Sequence, residues 1–377
     1  MSQLERNQCA VSGAEDLEHL YSFKDFPVFM GCVDGPQDTD LKADMSWWIS
    51  KESGLIQLKK LIPLDVLYPE SHGAGAVGSL WDEHHKSFAR FMAGKKPSSV
   101  LEIGGGHGRL EVAYQSIDKI PWTILEPNPS PIEGCKATFI SGFFDERFKL
   151  DSKVEAIVHS HLFEHIYEPN IFMKHLSDFM GEDQQLVFSL PNMQVMLERK
   201  YNNCINFEHT LFLSEVYVDY LLAKHGFRVD SKEYFKQDHS IFYRAIRDKK
   251  ILPTSLNLDL YSKNKNLYND YINFHDNLIQ DINKAIDELR RPIYLFGAHI
   301  FAQYLIAFGL DTGRIVCILD NDKNKHSKRL SGTNLKVFSP SVLRDIDRPY
   351  VLLRAGVYND EIKEDILKNI NSTVVFI

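Results

Sequence analysis

Among 377 residues there are only five cysteines, Cys9, Cys32, Cys135, Cys204 and Cys317, odd in number and widely separated. That scatter excludes a disulfide framework. Long hydrophobic runs are missing too: nothing approaches the roughly eighteen uninterrupted apolar residues that a membrane helix needs. Basic charge is not in excess, since 43 Lys and Arg stand against 51 Asp and Glu for a net charge of −8. Such a balance offers no footprint for a phosphate backbone, so nucleic acid is not expected as a partner. Met1 to Gln8 are polar with no apolar stretch behind them, which reads as no signal peptide. The expectation is a cytoplasmic globular protein with neither a membrane nor a nucleic acid as partner. Its length argues for two or three domains rather than one core.

Residues 1–80 form an irregular small lobe. Phe26, Pro27, Val28 and Phe29, and then Trp47, Trp48, Ile49 and Ser50, are short apolar runs between turn signals, which predicts small strands. Gly73, Gly75 and Gly78 mark either a flexible linker or a loop where the backbone passes close to a ligand. From Trp81 the pattern changes to a helix over 81–92, then strands at 99–103, 122–126, 156–159 and 185–190, closed by 227–229 and 240–245. This alternation predicts an α/β domain over 81–247, a mostly parallel sheet with helices on both faces. A long helix is expected over 261–291, with Tyr268, Tyr271, Ile272, His275, Ile279, Ile282 and Ile286 at helical spacing and Pro292 as its stop. A second strand–glycine–helix unit begins at Ile293 and places another α/β domain over 261–377.

Strand, glycines and helix in succession can cradle a nucleotide-type ligand, because glycine lets the main chain approach it. Gly104, Gly105, Gly106, His107, Gly108 and Arg109 lack the dinucleotide spacing, since Arg109 stands where the last glycine is needed. No Gly-Lys-Ser/Thr follows, which counts against an NTPase. Glu126, at the end of the next strand, can accept both hydroxyls of a ribose. Val100 to Gly108 resembles the first motif of class I S-adenosylmethionine-dependent methyltransferases. The resemblance implies a Rossmann-like core and S-adenosyl-L-methionine as cofactor, with Glu102, Gly104 and Gly106 beside its methionine part and Glu126 on its ribose. Gly142 and Phe143 fall where that family contacts adenine. The segments at His161 to Ile166 and Ser189 to Asn192 match later landmarks in the same order.

The chain as a whole resembles the three-domain sugar methyltransferases, whose members C-methylate nucleotide-linked keto-deoxysugars. These carry a small N-terminal zinc lobe with two cysteine pairs, the methyltransferase domain, and a C-terminal Rossmann-like α/β domain. Cys9, Ser12, Ser50 and Ser53 fit the positions of the two pairs, and only Cys9 is still a cysteine. A serine hydroxyl is no comparable zinc ligand and a structural site needs four donors, so the zinc is expected to be lost. Phe296, Gly297, Ala298 and His299 resemble the C-terminal glycine turn. Asp320 to Lys325, Ser331 to Thr333, and Val357 to Ile362 resemble later motifs with altered edges.

Methyl transfer is an in-line displacement for which the protein positions an acceptor and removes its proton. A sugar hydroxyl is a weak acid and calls for a general base, for which histidine is suited near neutral pH. Asn206 to Phe212 resembles the family's catalytic Glu-His pair, which makes His209 the expected base, Glu208 its orienter or a substrate ligand, and His165 a second histidine of the same pocket. Tyr68, His72 and His299 are expected on the substrate side. The C-methylating relatives have more tyrosines in the loop near Tyr68, where this chain has His72 and small residues. That departure favours O-methylation of a nucleotide-activated or carrier-linked sugar, with C-methylation of a keto-deoxysugar as the alternative. His159, His161 and His165 follow one strand end and either bind a metal or cap the next helix; no metal ligand is assigned. His84 and His85 either close the acceptor pocket or lie on a solvated helix face, and His107 could touch the cofactor. A binding protein that kept the fold without activity is the contrasting class, against which the intact Glu102–Gly108 segment, Glu126, Glu208 and His209 argue.

Overall fold

The computed structural model describes residues 4–67, 78–182, 184–253, 255–257 and 259–377. Its short apolar runs become strands covered on both faces. Val100–Ile103 is buried throughout, and Ala156–Ser160 and Gln185–Pro191 are buried but for one end residue each. Continuous burial is what a parallel sheet flanked by helices on both sides requires. The sheet has seven strands in the order Phe227–Phe235, Ser240–Arg247, Gln185–Pro191, Ala156–Ser160, Val100–Ile103, Trp122–Glu126 and Thr138–Ser141. Five neighbouring strands run parallel, and Ser240–Arg247 is antiparallel to both of its neighbours. The order in which successive strands are added reverses between the parallel neighbours Val100–Ile103 and Ala156–Ser160. Their carboxyl ends therefore open a crevice, the place where doubly wound sheets bind ligands. This is the class I arrangement implied by the sequence.

A second, five-stranded sheet is parallel throughout, in the order Val337–Phe338, Ile315–Leu319, Ile293–Phe296, Tyr350–Leu353 and Val375–Phe376. Helix Asp259–Leu289 connects the two sheets. Its buried stripe puts Tyr268, Tyr271 and Ile272 into the core under the first sheet and Ile279, Ile282 and Ile286 into the core of the second. Among the described residues no helix is long and apolar enough to cross a membrane.

The N-terminal lobe has no core of its own. Phe26 and Pro27 end one long strand, Leu17–Pro27, with Val28 and Phe29 past it, and the run at 47–50 ends its antiparallel partner, Lys42–Ser50, which also pairs with Ile56–Leu58. Phe23, Phe26, Met45, Trp47, Ile49 and Leu58 pack into one continuous core with Phe207, Phe212, Tyr268 and Tyr304. Main-chain bonds continue the union: Leu58 N–H donates to Thr210 O (2.9 Å) and Phe212 N–H to Ile56 O (2.9 Å). The lobe is thereby sewn to the loop that carries Glu208 and His209.

The lobe is also clamped to the second sheet. Cys32–Val33 pairs with Arg329–Leu330. Arg329 donates to both oxygens of Asp40 (2.6 and 2.7 Å) and to the carbonyls of Gly35, Pro36 and Thr333. The side chains are only 8% and 4% exposed, in a thin seam near the surface. Removing one partner strands the other's charge. Arg329→Ala should cost about 2–3 kcal/mol in equilibrium urea unfolding, the low end for a buried pair because the seam is shallow. Adding Asp40→Ala should recover part of that loss; a double variant as costly as the sum of the singles would contradict the clamp.

Candidate functional site

The glycine loop lies between two carboxylates. Gly104 N–H bonds Leu125 O (2.8 Å) as the strand ends, and the chain turns into the short helix Arg109–Tyr114. At Gly108 (φ +78°) an added Cβ would lie 2.4 Å from Cys135 Sγ, so this glycine serves packing. Gly106 differs. Its φ is +52°, and a Cβ there would meet no atom within 4 Å, so the loop leaves that space open to a ligand. Its N–H donates to Glu126 Oε2 (3.0 Å), which fixes the carboxylate at the strand end.

Glu102 sits beneath the loop, where an added Cβ at Gly105 would meet its side chain. Its carboxylate is 2% exposed and accepts from Trp122 Nε1 (2.8 Å). Burial raises its pKa to about 7, helped by the charges of Glu111 and Glu126 and opposed by the Trp122 bond. Gly142 N–H donates to Glu126 O (3.2 Å), and Phe143, 66% exposed, stands just past it. Gly104, Gly106, Glu126, Gly142 and Phe143 thus share one edge of the crevice, a cradle whose open space at Gly106 and flat ring at Phe143 suit a nucleoside.

The opposite edge is rich in imidazoles. The strand Ala156–Ser160 ends at His161, which has a φ of +49°, and a single 3-10 turn, Phe163–His165, follows. Glu164 is 1% exposed. Burial alone would raise its pKa, but hydrogen bonding from His161 and the charges of His161, His165 and His209 outweigh it and hold the carboxyl low, at about 2. His161 Nδ1 lies 3.0 Å from Glu164 Oε1.

His209 comes from the loop after helix Met193–Glu198. Asn206 Oδ1 accepts the N–H groups of Glu208 (2.8 Å) and His209 (3.0 Å), so one asparagine shapes the turn. His209 Nδ1 is 3.1 Å from Cys204 O. A carbonyl only accepts, so Nδ1 carries the proton and Nε2 the lone pair. The His165 ring meets His209 edge-on at 4.7 Å, and His165 Nδ1 is 3.9 Å from Glu208 Oε2. Burial, with the neighbouring His209, holds the His165 imidazole well below its ordinary pKa. The structure thus brings together His165, Glu208 and His209.

Other candidates are separated. His159 does not join His161 and His165: it is buried, stacked on Phe188 at 4.8 Å, and burial lowers its pKa to about 3. His84 is buried rather than solvated, and half-buried His85 has its Nδ1 2.7 Å from Trp81 O. His107 Nδ1 bonds Ser130 O (2.6 Å). His299 is exposed at the glycine turn of the second sheet, where Ala298 N–H donates to Asp320 Oδ2 (2.9 Å). Tyr68 and His72 lie outside the described residues.

Two clusters have metal-capable atoms within 4.8 Å of one another: Glu164, His165 and His209, and His84, His161 and His239. Glu164 could have been found in the sequence, three residues after one histidine and beside another. His239 could not, because only the hairpin at the sheet edge brings it to His161. In the small lobe, Cys9, Ser12, Ser50 and Ser53 do meet. Cys9 Sγ is 3.2 Å from Ser53 Oγ and accepts Ser12 N–H (3.4 Å), and Ser50 Oγ accepts Ser53 N–H (3.2 Å). One thiol and three hydroxyls are a poor zinc donor set. The two turns are held instead from outside, by Asn170 on Ala10 O and by Tyr217 on Ser53 O.

Residues 80–232 match a family described as "Methyltransferase domain". No curated protein matches the chain. Solved structures with similarity include the mitomycin 7-O-methyltransferase MmcR, 15% identical over 45% of this chain and 55% of that one, TM-score 0.37. The magnesium protoporphyrin IX methyltransferase ChlM from Synechocystis PCC 6803, with SAH bound, is 14% identical over 47% and 90%, TM-score 0.36. The glycopeptide N-methyltransferase MtfA, with S-adenosylmethionine, is 15% identical over 43% and 94%, TM-score 0.34. The chain spans about half, 55%, of the length of the first of these.

The raised pKa of Glu102 makes stability pH-dependent. Protonated in the folded state up to about 7, but only to 4.5 when unfolded, it contributes stability that is complete below 4.5 and lost as pH rises to 7. Glu102→Gln removes this term. Its melting temperature relative to wild type should therefore climb between pH 5 and pH 8 in differential scanning calorimetry; a constant difference would contradict the buried, protonated carboxyl.

Proposed function

We propose that this chain, whose residues 80–232 match a methyltransferase-domain family, is an S-adenosylmethionine-dependent methyltransferase that methylates a hydroxyl of a nucleotide-activated or carrier-linked sugar with His209 as general base. The bound cofactor supplies the electrophilic methyl. Glu126 accepts its ribose hydroxyls, Phe143 packs on its adenine, and Gly106 yields space to it. Glu102 keeps the loop in place from below.

The observation that carries the base assignment is the bond from His209 Nδ1 to Cys204 O. It leaves Nε2 unprotonated and able to take the acceptor's proton. The imidazolium so formed faces the carboxylates of Glu164 and Glu208 across the His165 ring, which stabilise the new charge. The sugar class is supported by the likeness to the sugar methyltransferases at both ends of the chain, outside residues 80–232. The second sheet also has a glycine turn at Gly297, with Asp320 at the end of the neighbouring strand, as a sugar nucleotide would need.

His209→Ala should cut turnover by about a hundredfold or more, with cofactor affinity nearly unchanged, and should abolish the acidic limb of the pH–rate profile. Glu208→Gln should be milder if it only orients the imidazole. Near-normal turnover in His209→Ala beside a severe loss in His165→Ala would move the base to His165. For the cofactor, Gly106→Val and Glu126→Ala should each weaken S-adenosylmethionine in calorimetry by about tenfold or more. Unchanged affinity in both would overturn the cradle. The substrate class is tested with a panel of nucleotide sugars and labelled cofactor, read by mass spectrometry and NMR. An O-methyl sugar is expected; a C-methyl sugar would replace the hydroxyl acceptor, and no methylated sugar would overturn the class.

A further inference from the structure

His84 poses a problem that the methyl-transfer site does not solve. It lies on helix Ser79–Ala93, fully shut from solvent, and neither ring nitrogen has a hydrogen-bond partner among the described residues. A buried polar atom left without a partner is costly. The side chains around it include Phe88, Phe235 and Phe242, which offer no hydrogen bond. Its other ring neighbours are Trp81 at 5.2 Å, His85 at 5.5 Å, His161 at 5.1 Å and His239 at 5.4 Å between ring centroids, and of these His161 and His239 offer ligand nitrogens close to its own.

We propose that His84, His161 and His239 form a site for a divalent transition-metal ion, zinc by preference, distinct from the His165–His209 pair. Three ligand nitrogens from three separate elements lie within 4.8 Å of one another. Tetrahedral zinc holds imidazoles at about 2.0–2.1 Å, hence roughly 3.4 Å apart, so the rings need to close by up to about 1.4 Å. Three imidazoles with neither thiolate nor carboxylate suit zinc, cobalt, nickel or copper rather than magnesium or calcium.

The surroundings are built for such an ion. His161 Nδ1 faces Glu164 Oε1 at 3.0 Å, the carboxylate–histidine pairing that orients a metal ligand and presents its Nε2 outward. That Nε2 is 2.8 Å from Ser240 Oγ, which is also 2.6 Å from His239 Nδ1, so the hydroxyl marks the space between two of the rings. His161 is held at φ +49°, a conformation uncommon for a residue with a side chain. The other cluster, which includes Glu164, is engaged differently. There His209 Nδ1 is bound to Cys204 O and His165 faces Glu208.

The test is metal binding by the full chain after chelator treatment. Titration with ZnCl2 in a calorimeter should show one equivalent bound, and CoCl2 should give the visible bands of tetrahedral cobalt. His84→Gln and His239→Gln should each weaken the ion by about a hundredfold or more, while His209→Gln and Cys9→Ser leave it unchanged. His239 is partly exposed, so its substitution keeps the test valid if His84→Gln fails to fold. Failure of the wild type to bind zinc, retention of the ion in both His84→Gln and His239→Gln, or its loss in His209→Gln or Cys9→Ser would each overturn the proposal.

Discussion

A carboxylate cannot stay charged inside a protein unless cations or donors surround it, and Glu164 imposes that constraint on the whole acceptor side. At 1% exposure it requires His161 on one side and the His165–His209 pair on the other. The sheet places it: Ala156–Ser160 ends at the crevice, and one turn of 3-10 helix turns the carboxylate inward. The imidazoles that surround Glu164 are also the groups with chemistry to perform. Charge burial and proton removal are therefore one arrangement.

That arrangement depends on parts of the chain far from residues 80–232. The loop from Cys204 to Phe212 is paired with the small lobe through Ile56 and Leu58, and Tyr304 OH of the second α/β domain donates to Ile205 O (2.7 Å). The lobe in turn is locked to the second sheet by Arg329 and Asp40. A chain reduced to the methyltransferase domain would lose the supports of its proposed base. The appended parts hold the acceptor side rigid, as a site requiring sub-ångström placement demands.

Much of the scaffold could be read in the sequence because its signals are local. The strand Trp122–Glu126 has the expected bounds, and the long helix begins two residues early and ends two early. Thr138–Ser141 went unread, since only its pairing with Trp122–Glu126 makes four half-exposed residues a strand. The small lobe was underestimated for a similar reason: Leu17–Pro27 is largely polar on its outer face and gains its length from Lys42–Ser50. In the site, Gly106, Glu126 and His209 carry family motifs. A motif does not show which way a carboxylate points, and here the indole of Trp122 draws Glu102 under the loop. Alternation along the strand would put His159 and His161 on one face, but the positive φ at His161 breaks the period and leaves His159 in the core.

The central claim is that cofactor cradle and histidine pair face each other across one crevice. A crystal structure of the full chain with S-adenosylhomocysteine measures this directly. The account predicts ribose hydroxyls on Glu126, adenine against Phe143, and the sulfur directed at His165 and His209. A nucleoside bound elsewhere, or a sulfur turned away from both imidazoles, would contradict it.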